Sequence, residues 1–258
     1  MNPITRVSLV VPYYDEVDGI PPLAAKLRSL ASRLLPGYQL ECVLVDDGSR
    51  DGSESKAREC FSGMDNVVFV KHEHNRGLGA AMRSGFEHAT GEIVAAIDSD
   101  CTYDPMQVPV LIEALQRNSA DIATASPYHP DGGVENVIGW RLFLSRGASW
   151  MYRLVCSCKL YTYTSMMRAY RRSVIRNVSF SSDGFAGVTE VLLRAASQGC
   201  RIVEVPMVLR SRQTGVSKMR VARSVWMHLR LMSRALAWRF TPRTSVAIAN
   251  PNQADLIQ

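Results

Sequence analysis

Two aspartates, Asp98 and Asp100, flank a serine directly after the apolar run Ile93–Ile97. Carboxylates held that close repel, and one pKa rises unless a cation neutralises the pair. Mg²⁺ or Mn²⁺ suits such hard oxygens and fills the rest of its shell with water and substrate phosphates. Read alone, the triplet is equally an acidic turn ahead of Asp104-Pro105. A second acidic string, DDGSRDGS, runs from Asp46 to Ser53 and closes another apolar run. Its carboxylates can accept hydrogen bonds from a base or ribose, and its glycines allow a tight turn into a helix capped by Ser53. By itself this string is also a plain turn with a cap. Glu16, which follows Pro12 and Tyr14 at the end of the first apolar run, faces the same crevice. Further on, HNRGLGAAMRSG (His74–Gly85) sets Arg76 and Gly77 at a helix start, where free amides and the helix dipole favour an anion. Gly77 and Gly79 are also compatible with a loop that simply passes close to its neighbour.

These residues need a scaffold that gathers strand ends. The runs Val7–Pro12, Leu40–Val45, Val67–Val70, Ile93–Ile97 and Ile122–Ala125 are continuously apolar, so both faces of each strand are buried. Helical patterns fill the gaps at Leu23–Leu35, Ser53–Phe61, Leu78–Thr90 and Pro105–Asn118. The expected fold is α/β, a Rossmann-like, doubly wound, mostly parallel sheet with helices on both faces. In such a sheet ligands bind beyond the carboxyl ends of the strands, where the acidic strings fall.

Charge divides the chain. Residues 1–139 carry 11 Lys and Arg against 20 Asp and Glu, whereas residues 140–240 carry 18 against 3. An acidic half suits a metal and a basic half suits phosphate or anionic lipid, so a substrate bridging the two would carry both. Six cysteines at irregular spacing match no zinc pattern and read as reduced thiols. The opening MNPITRVSLVV lacks a signal-peptide pattern, and no window is apolar for the ~18 residues a bilayer span needs. The expectation is a cytoplasmic protein whose membrane contact is peripheral, on the inner face.

Taken in order, V-P-Y-Y-D-E, V-D-D-G-S-R-D-G-S, N-R-G-L-G-A-A and D-S-D before Y-D-P resemble the family 2 inverting glycosyltransferases of GT-A fold. The branch is that of dolichol-phosphate mannose synthase and the undecaprenyl-phosphate glycosyltransferases, and the likeness runs from about Val7 to Met219. It implies a nucleotide-sugar donor, a polyprenyl phosphate acceptor and a divalent cation, Mg²⁺ or Mn²⁺. By position, Pro12, Tyr14, Glu16 and Asp47 surround the nucleoside, Asp46 and Asp51 support the turn, and Arg76, Gly77 and Ser99 complete the donor site. Asp98 and Asp100 hold the metal. Two departures matter: Asp15 stands where the branch commonly has Asn, and Thr102 stands where mannose synthases often have a Gln ligand, so Thr102 enters as a third ligand, direct or through water. GGVEN-(x)₄-R-(x)₃-SRG, Gly132–Gly147, resembles the acceptor loop and helix, with Arg141, Ser145 and Arg146 for the lipid phosphate. Arg212 and Lys218 lie in a string like the family's closing segment. Asp100, Arg146, Arg212 and Lys218 are therefore the expected catalytic residues.

A phosphate acceptor carries its own nucleophilic oxygen and needs no protein base. A sugar hydroxyl would need one, and Asp183 is the candidate. The rival readings are transfer to a saccharide or glycolipid and a non-catalytic nucleotide-sugar-binding protein; the cations match no nucleic-acid motif. The expected organisation is a GT-A domain over 1–217 (donor half 1–125, acceptor half 126–217), a basic amphipathic helix over 218–240 and a tail over 241–258. The Pro/Gly-rich loop Ser126–Asn136 reads as a lid. In the helix, Val221, Val225, Leu229, Met232 and Leu236 form one stripe opposite Arg220, Arg223, Arg230 and Arg234, a pattern suited to a membrane surface or to packing on its own domain or a homo-oligomer partner.

Overall fold

The computed structural model describes residues 5–34, 37–137, 139–156, 158–212 and 221–238. The five apolar runs become β1 (Thr5–Tyr13), β2 (Tyr38–Asp46), β3 (Val67–Lys71), β4 (Ile93–Ala96) and β5 (Ile122–Ser126). Between them lie α1 (Ile20–Leu34), α2 (Ser53–Cys60), α3 (Leu78–His88) and α4 (Val108–Arg117). β1 pairs in parallel with β2 and β4, and β2 with β3. Alternate residues of one strand serve opposite cores, which is why the runs are unbroken. Leu9 and Val11 of β1 pack in the core shared with α1 and α4, while Val10 joins Val43, Val45, Met82 and Leu192 on the other side.

The second half adds β6 (Gly133–Glu135), α5 (Gly139–Val155), β7 (Arg168–Arg171), α6 (Arg172–Asn177), α7 (Ala186–Ser197), β8 (Ile202–Pro206), β9 (Val208–Arg210) and α8 (Val221–Trp238). The seven-stranded order is β3-β2-β1-β4-β7-β5-β8, with β7 antiparallel between β4 and β5. The segment R-A-Y-R hides this strand because its first residue is charged, yet Arg168 is fully buried. Its guanidinium donates to Thr124 Oγ1 (3.0 Å), to the Tyr163 carbonyl (2.6 Å) and to the Val188 carbonyl, so burial leaves its donors satisfied. The expected lid is anchored instead, since β6 within it pairs with β9 in a separate two-stranded sheet.

Helix α8 buries a face beside its expected stripe, sharing only Met232 with it. Leu231, Met232 and Ala235 are buried, while Val225, Leu229 and Leu236 stay exposed. Arg220, the tail 241–258 and the side chain of Arg223 lie outside the described residues. The helix is clamped by Glu190, a wholly buried carboxylate on α7 that contacts Arg234 at 3.0 Å and Arg194 at 3.3 Å and accepts from Ser182 N at 2.8 Å. Burial works to raise its pKa, but hydrogen bonds from Ser182 and the charge of Arg234 outweigh that and hold it below the usual value. A lowered folded-state pKa contributes stability that is present above the unfolded value and lost as pH falls through the folded one. Glu190→Gln is therefore expected to cost about 2–3 kcal/mol at neutral pH and progressively less in acid, read from urea melts at several pH values.

Candidate active site

The loop after β1 and the acidic string after β2 are stitched to each other by side-chain bonds to backbone amides. Asp15 N donates to Ser49 Oγ (3.0 Å), Arg50 N to Asp15 Oδ1 (2.9 Å), Glu16 N to Ser53 Oγ (2.8 Å) and Val17 N to Asp51 Oδ2 (3.1 Å). Asp15 has φ 48°, a left-handed conformation that Asp tolerates nearly as well as Asn, so the departure at this position leaves the loop intact. Ser53 does not cap α2. A left-handed Gly52 precedes the helix with no side-chain cap, and the Ser53 hydroxyl serves Glu16 instead.

Asp46 and Asp47 have different tasks. Asp47, expected beside the nucleoside, spends both oxygens on the next loop: Oδ1 accepts from Arg76 N (2.9 Å) and meets His72 Nδ1 (2.7 Å), and Oδ2 accepts from Gly77 N (2.8 Å). His72 is buried and its other nitrogen meets Ser84 Oγ at 2.9 Å, so Asp47–His72–Ser84 locks the Arg76 loop against the sheet. Asp46 Oδ1 accepts from Ser49 N (2.8 Å), while its Oδ2 is buried with no hydrogen-bond partner among the described residues. Of the two, Asp46 is the one with an acceptor to spare. Sequence reasoning missed His72, although it follows a strand end just as the acidic strings do.

The amides at the start of α3 are not free for an anion. Gly77 N serves Asp47, and Gly79 N and Ala80 N donate to the Asp183 carbonyl at 2.7 and 3.2 Å. The glycines are there for this close approach, since a Cβ on Gly79 would lie 2.0 Å from the Ser182 carbonyl oxygen. Gly79→Ala should displace the 182–184 segment and lower stability by about 1–3 kcal/mol, seen as a reduced urea midpoint. Asp183 itself forms an ion pair with Arg83.

At the end of β4 the DSD triplet turns sharply. Cys101 is left-handed (φ 54°), and Thr102 N returns to Asp100 Oδ1 at 3.1 Å. The Thr102 carbonyl accepts from Arg210 N at 2.9 Å, and this bond, with the β6–β9 pairing, carries the chain after β9 over the crevice. Arg212 lands there with its Nη2 2.8 Å from Glu16 Oε1 and its Nε 3.0 Å from Asp100 Oδ2, joining the first and fourth strand ends. Burial, and then the charge of Asp100, push the Asp98 carboxyl up to about 7. Two carboxylates that close, one of them reluctant to ionise, form a donor set that a divalent cation relieves. Among the described residues no group of three His, Cys, Asp or Glu side chains is placed to hold a metal ion, so a cation here must take its other ligands from substrate, water or Thr102.

On α5, Ser145 Oγ meets Thr164 Oγ1 at 2.9 Å, and the Arg146 guanidinium lies 5.1 Å from the centre of the Tyr128 ring. The residue Lys218 and the side chain of Arg141 lie outside the described residues. Pro12, Tyr14 and Ser99 sit at the carboxyl ends of β1 and β4, as expected.

The pattern of Glycosyl transferase family 2 matches residues 8–179, more than half of the chain. The chain belongs to glycosyl transferase family 2. This glycosyltransferase is 30% identical to the dolichol-phosphate mannosyltransferase of Pyrococcus furiosus, over 90% of its own length but only 64% of that relative's, so it spans a little under two thirds of it. It is also 30% identical to the polyprenol monophosphomannose synthase of Mycolicibacterium smegmatis, covering 85% of its own length and 83% of the relative. A dodecaprenyl-phosphate galacturonate synthase of Rhizobium johnstonii is 27% identical over 92% of the chain and 69% of the relative. Among solved structures, glucosyl-3-phosphoglycerate synthase from Mycobacterium tuberculosis, in complex with Mn²⁺, uridine diphosphate and phosphoglyceric acid, superposes with a TM-score of 0.67 at 19% identity, covering 93% of this chain and 80% of that one. The same enzyme with Mg²⁺ and uridine diphosphate gives 0.66 at 19% identity, over 93% of this chain and 81% of that one. The family 2 glycosyltransferase thus has the GT-A fold expected from its motifs.

Proposed function

We propose that this glycosyltransferase moves a sugar from a nucleotide-sugar to a polyprenyl phosphate at a membrane surface, with inversion at the anomeric carbon and with a divalent cation. The observation that carries the reading is the convergence of Asp98, Asp100 and Glu16 on one edge of the sheet, with Arg212 bridging two of them. Solved relatives that hold Mn²⁺ or Mg²⁺ with uridine diphosphate support the cation and the donor class. Relatives named for dolichol, polyprenol and dodecaprenyl phosphates support the acceptor.

Asp98 and Asp100 would hold the cation, with Thr102 beside them. When bound, the cation supplies positive charge to the departing nucleoside diphosphate. Arg212 and Lys218 would add charge to the same oxygens, as would Arg76, carried on the loop that Asp47 and His72 lock. Pro12 and Tyr14 would line the nucleoside side, with the buried Asp46 carboxylate beneath them. Arg141, Ser145 and Arg146 orient the acceptor phosphate, whose own oxygen attacks. No helix among the described residues is long and apolar enough to cross a membrane.

The test is incubation of the protein and Mn²⁺ with a panel of radiolabelled nucleotide-sugars and C55 polyprenyl phosphate in detergent. The expected outcome is label in the organic phase with one donor. Label on a saccharide panel, with none on any polyprenyl phosphate, would sink the acceptor assignment.

A further inference from the structure

Arg146 is an exposed, long and flexible cation on a helix that carries no acidic residue. Among the described residues it forms no ion pair; its guanidinium lies instead 5.1 Å from the centre of the Tyr128 ring. A carboxylate would also fix the side chain, but it would neutralise the charge and occupy the N–H donors. An aromatic face holds the guanidinium through its quadrupole and leaves the in-plane donors unspent. The cation is therefore oriented and still open to an anion. Orienting it beforehand removes rotamer freedom that a ligand would otherwise have to freeze.

The backbone under Tyr128 is fixed at both ends of its loop. The residue follows the last residue of β5, Ser126, whose hydroxyl meets that of Thr162 at 2.9 Å. The chain then folds back on itself: Gly132 N donates to the His129 carbonyl at 2.8 Å, and a Cβ on Gly132 would lie 2.5 Å from the Ser126 carbonyl oxygen. β6 begins at once and is pinned by β9. Tyr128 and Arg146 both line a cavity of about 470 Å³ between this loop and α5.

The phenol has a second neighbour. Burial raises its pKa above the usual tyrosine value, while the Ser145 hydroxyl and the charge of Arg146 work the other way. Ser145 in turn meets Thr164 Oγ1 at 2.9 Å. Consecutive helical residues project about 100° apart, so Ser145 and Arg146 do not converge unless a third group touches both. Tyr128 is that group.

We propose that Tyr128 is a positioning residue of the acceptor site, its ring orienting the Arg146 guanidinium and its hydroxyl the Ser145 side chain toward one phosphate. The inference rests on Arg146 and Ser145 receiving an acceptor phosphate, and adds what arranges them before it arrives. Tyr128 acts through Arg146, so its loss weakens acceptor binding and leaves the donor side untouched.

The experiment measures equilibrium binding of farnesyl phosphate, a short water-soluble prenyl phosphate, to the wild type, Tyr128→Phe, Tyr128→Leu, Arg146→Ala and the double variant Tyr128→Leu/Arg146→Ala. Mn²⁺-dependent binding of uridine and guanosine diphosphates is the donor-side control. Tyr128→Leu should weaken farnesyl phosphate binding about tenfold and Tyr128→Phe, which keeps the ring, by no more than about threefold, with nucleotide binding unchanged. Because the ring works through the guanidinium, the double variant should match Arg146→Ala to within about twofold. Losses that multiply in the double variant would overturn the proposal, as would wild-type affinity in Tyr128→Leu. Farnesol, which lacks the phosphate, should bind wild type and Tyr128→Leu alike. An equal loss for farnesol would mark a collapsed cavity rather than a misplaced cation, and would also overturn it. Wild type that binds no farnesyl phosphate, or Arg146→Ala that binds it as wild type does, would retire the acceptor reading itself and the proposal with it.

Discussion

Asp100→Asn is expected to lower kcat/KM by about 10³ while leaving the fold untouched. Asparagine keeps the oxygen that accepts from Thr102 N, so the turn after β4 survives. What goes is one negative charge at the proposed cation site and half of the carboxylate pair, and an interaction aimed at the departing diphosphate is worth roughly 3–4 kcal/mol in a preorganised site. The change should also be visible without turnover. In the wild type, burial and then Asp100 raise Asp98 to about 7. A carboxylate with a raised folded-state pKa contributes stability that is present at low pH and is lost as pH rises through that value. A cation competes with that proton, so the thermal stabilisation given by Mn²⁺ and a nucleotide together should grow from pH 6 to pH 8. In Asp100→Asn this stabilisation should shrink at every pH. Turnover within a few-fold of wild type, or Mn²⁺ stabilisation of wild-type size, would remove Asp100 from the metal site.

The half of the fold legible in the sequence is the half in which each strand is buried on both faces. Runs such as Val7–Pro12 and Leu40–Val45 announce themselves because alternate residues serve different cores, and the acidic strings mark their carboxyl ends. The antiparallel β7 was not legible because Arg168 reads as a surface cation, and only tertiary packing supplies its three oxygen acceptors. Glu204 on β8 breaks an apolar run for a similar reason: its carboxylate accepts from the Tyr161 and Thr162 amides at 2.8 and 2.9 Å. In the site, spacing located the acidic clusters but not their division of labour. Asp46 and Asp47 are adjacent and chemically identical, and only the position of the His74–Gly77 loop decides which one is consumed by backbone amides. Helix α5 buries Tyr152 while Phe143, Trp150 and Leu154 stay exposed, a division that only the packing against α8 decides.

Arg212→Ala should produce two effects of opposite sign. Arg212 is 19% exposed and is the counter-charge shared by Glu16 and Asp100. Removing it takes a positive charge away from both carboxylates, so Mn²⁺ should bind the donor-free protein about tenfold more tightly, the scale by which a neighbouring charge shifts ionic equilibria at this range. Turnover should nevertheless fall by about 10²–10³, because the proposed reaction also uses the guanidinium to meet the diphosphate as it leaves. Damage to the fold would weaken both properties together, so the divergence is what identifies the residue's part. Arg212→Lys sharpens the test: a single ammonium keeps the charge but cannot span two carboxylates as a planar fork does. Its metal affinity should therefore fall between those of Ala and Arg, with turnover only partly restored. If Ala at this position changed neither quantity by more than about twofold, the bridge between Glu16 and Asp100 would be a surface ion pair of the ordinary weak kind, and the charge on the leaving diphosphate would have to be met by the cation and Lys218 alone.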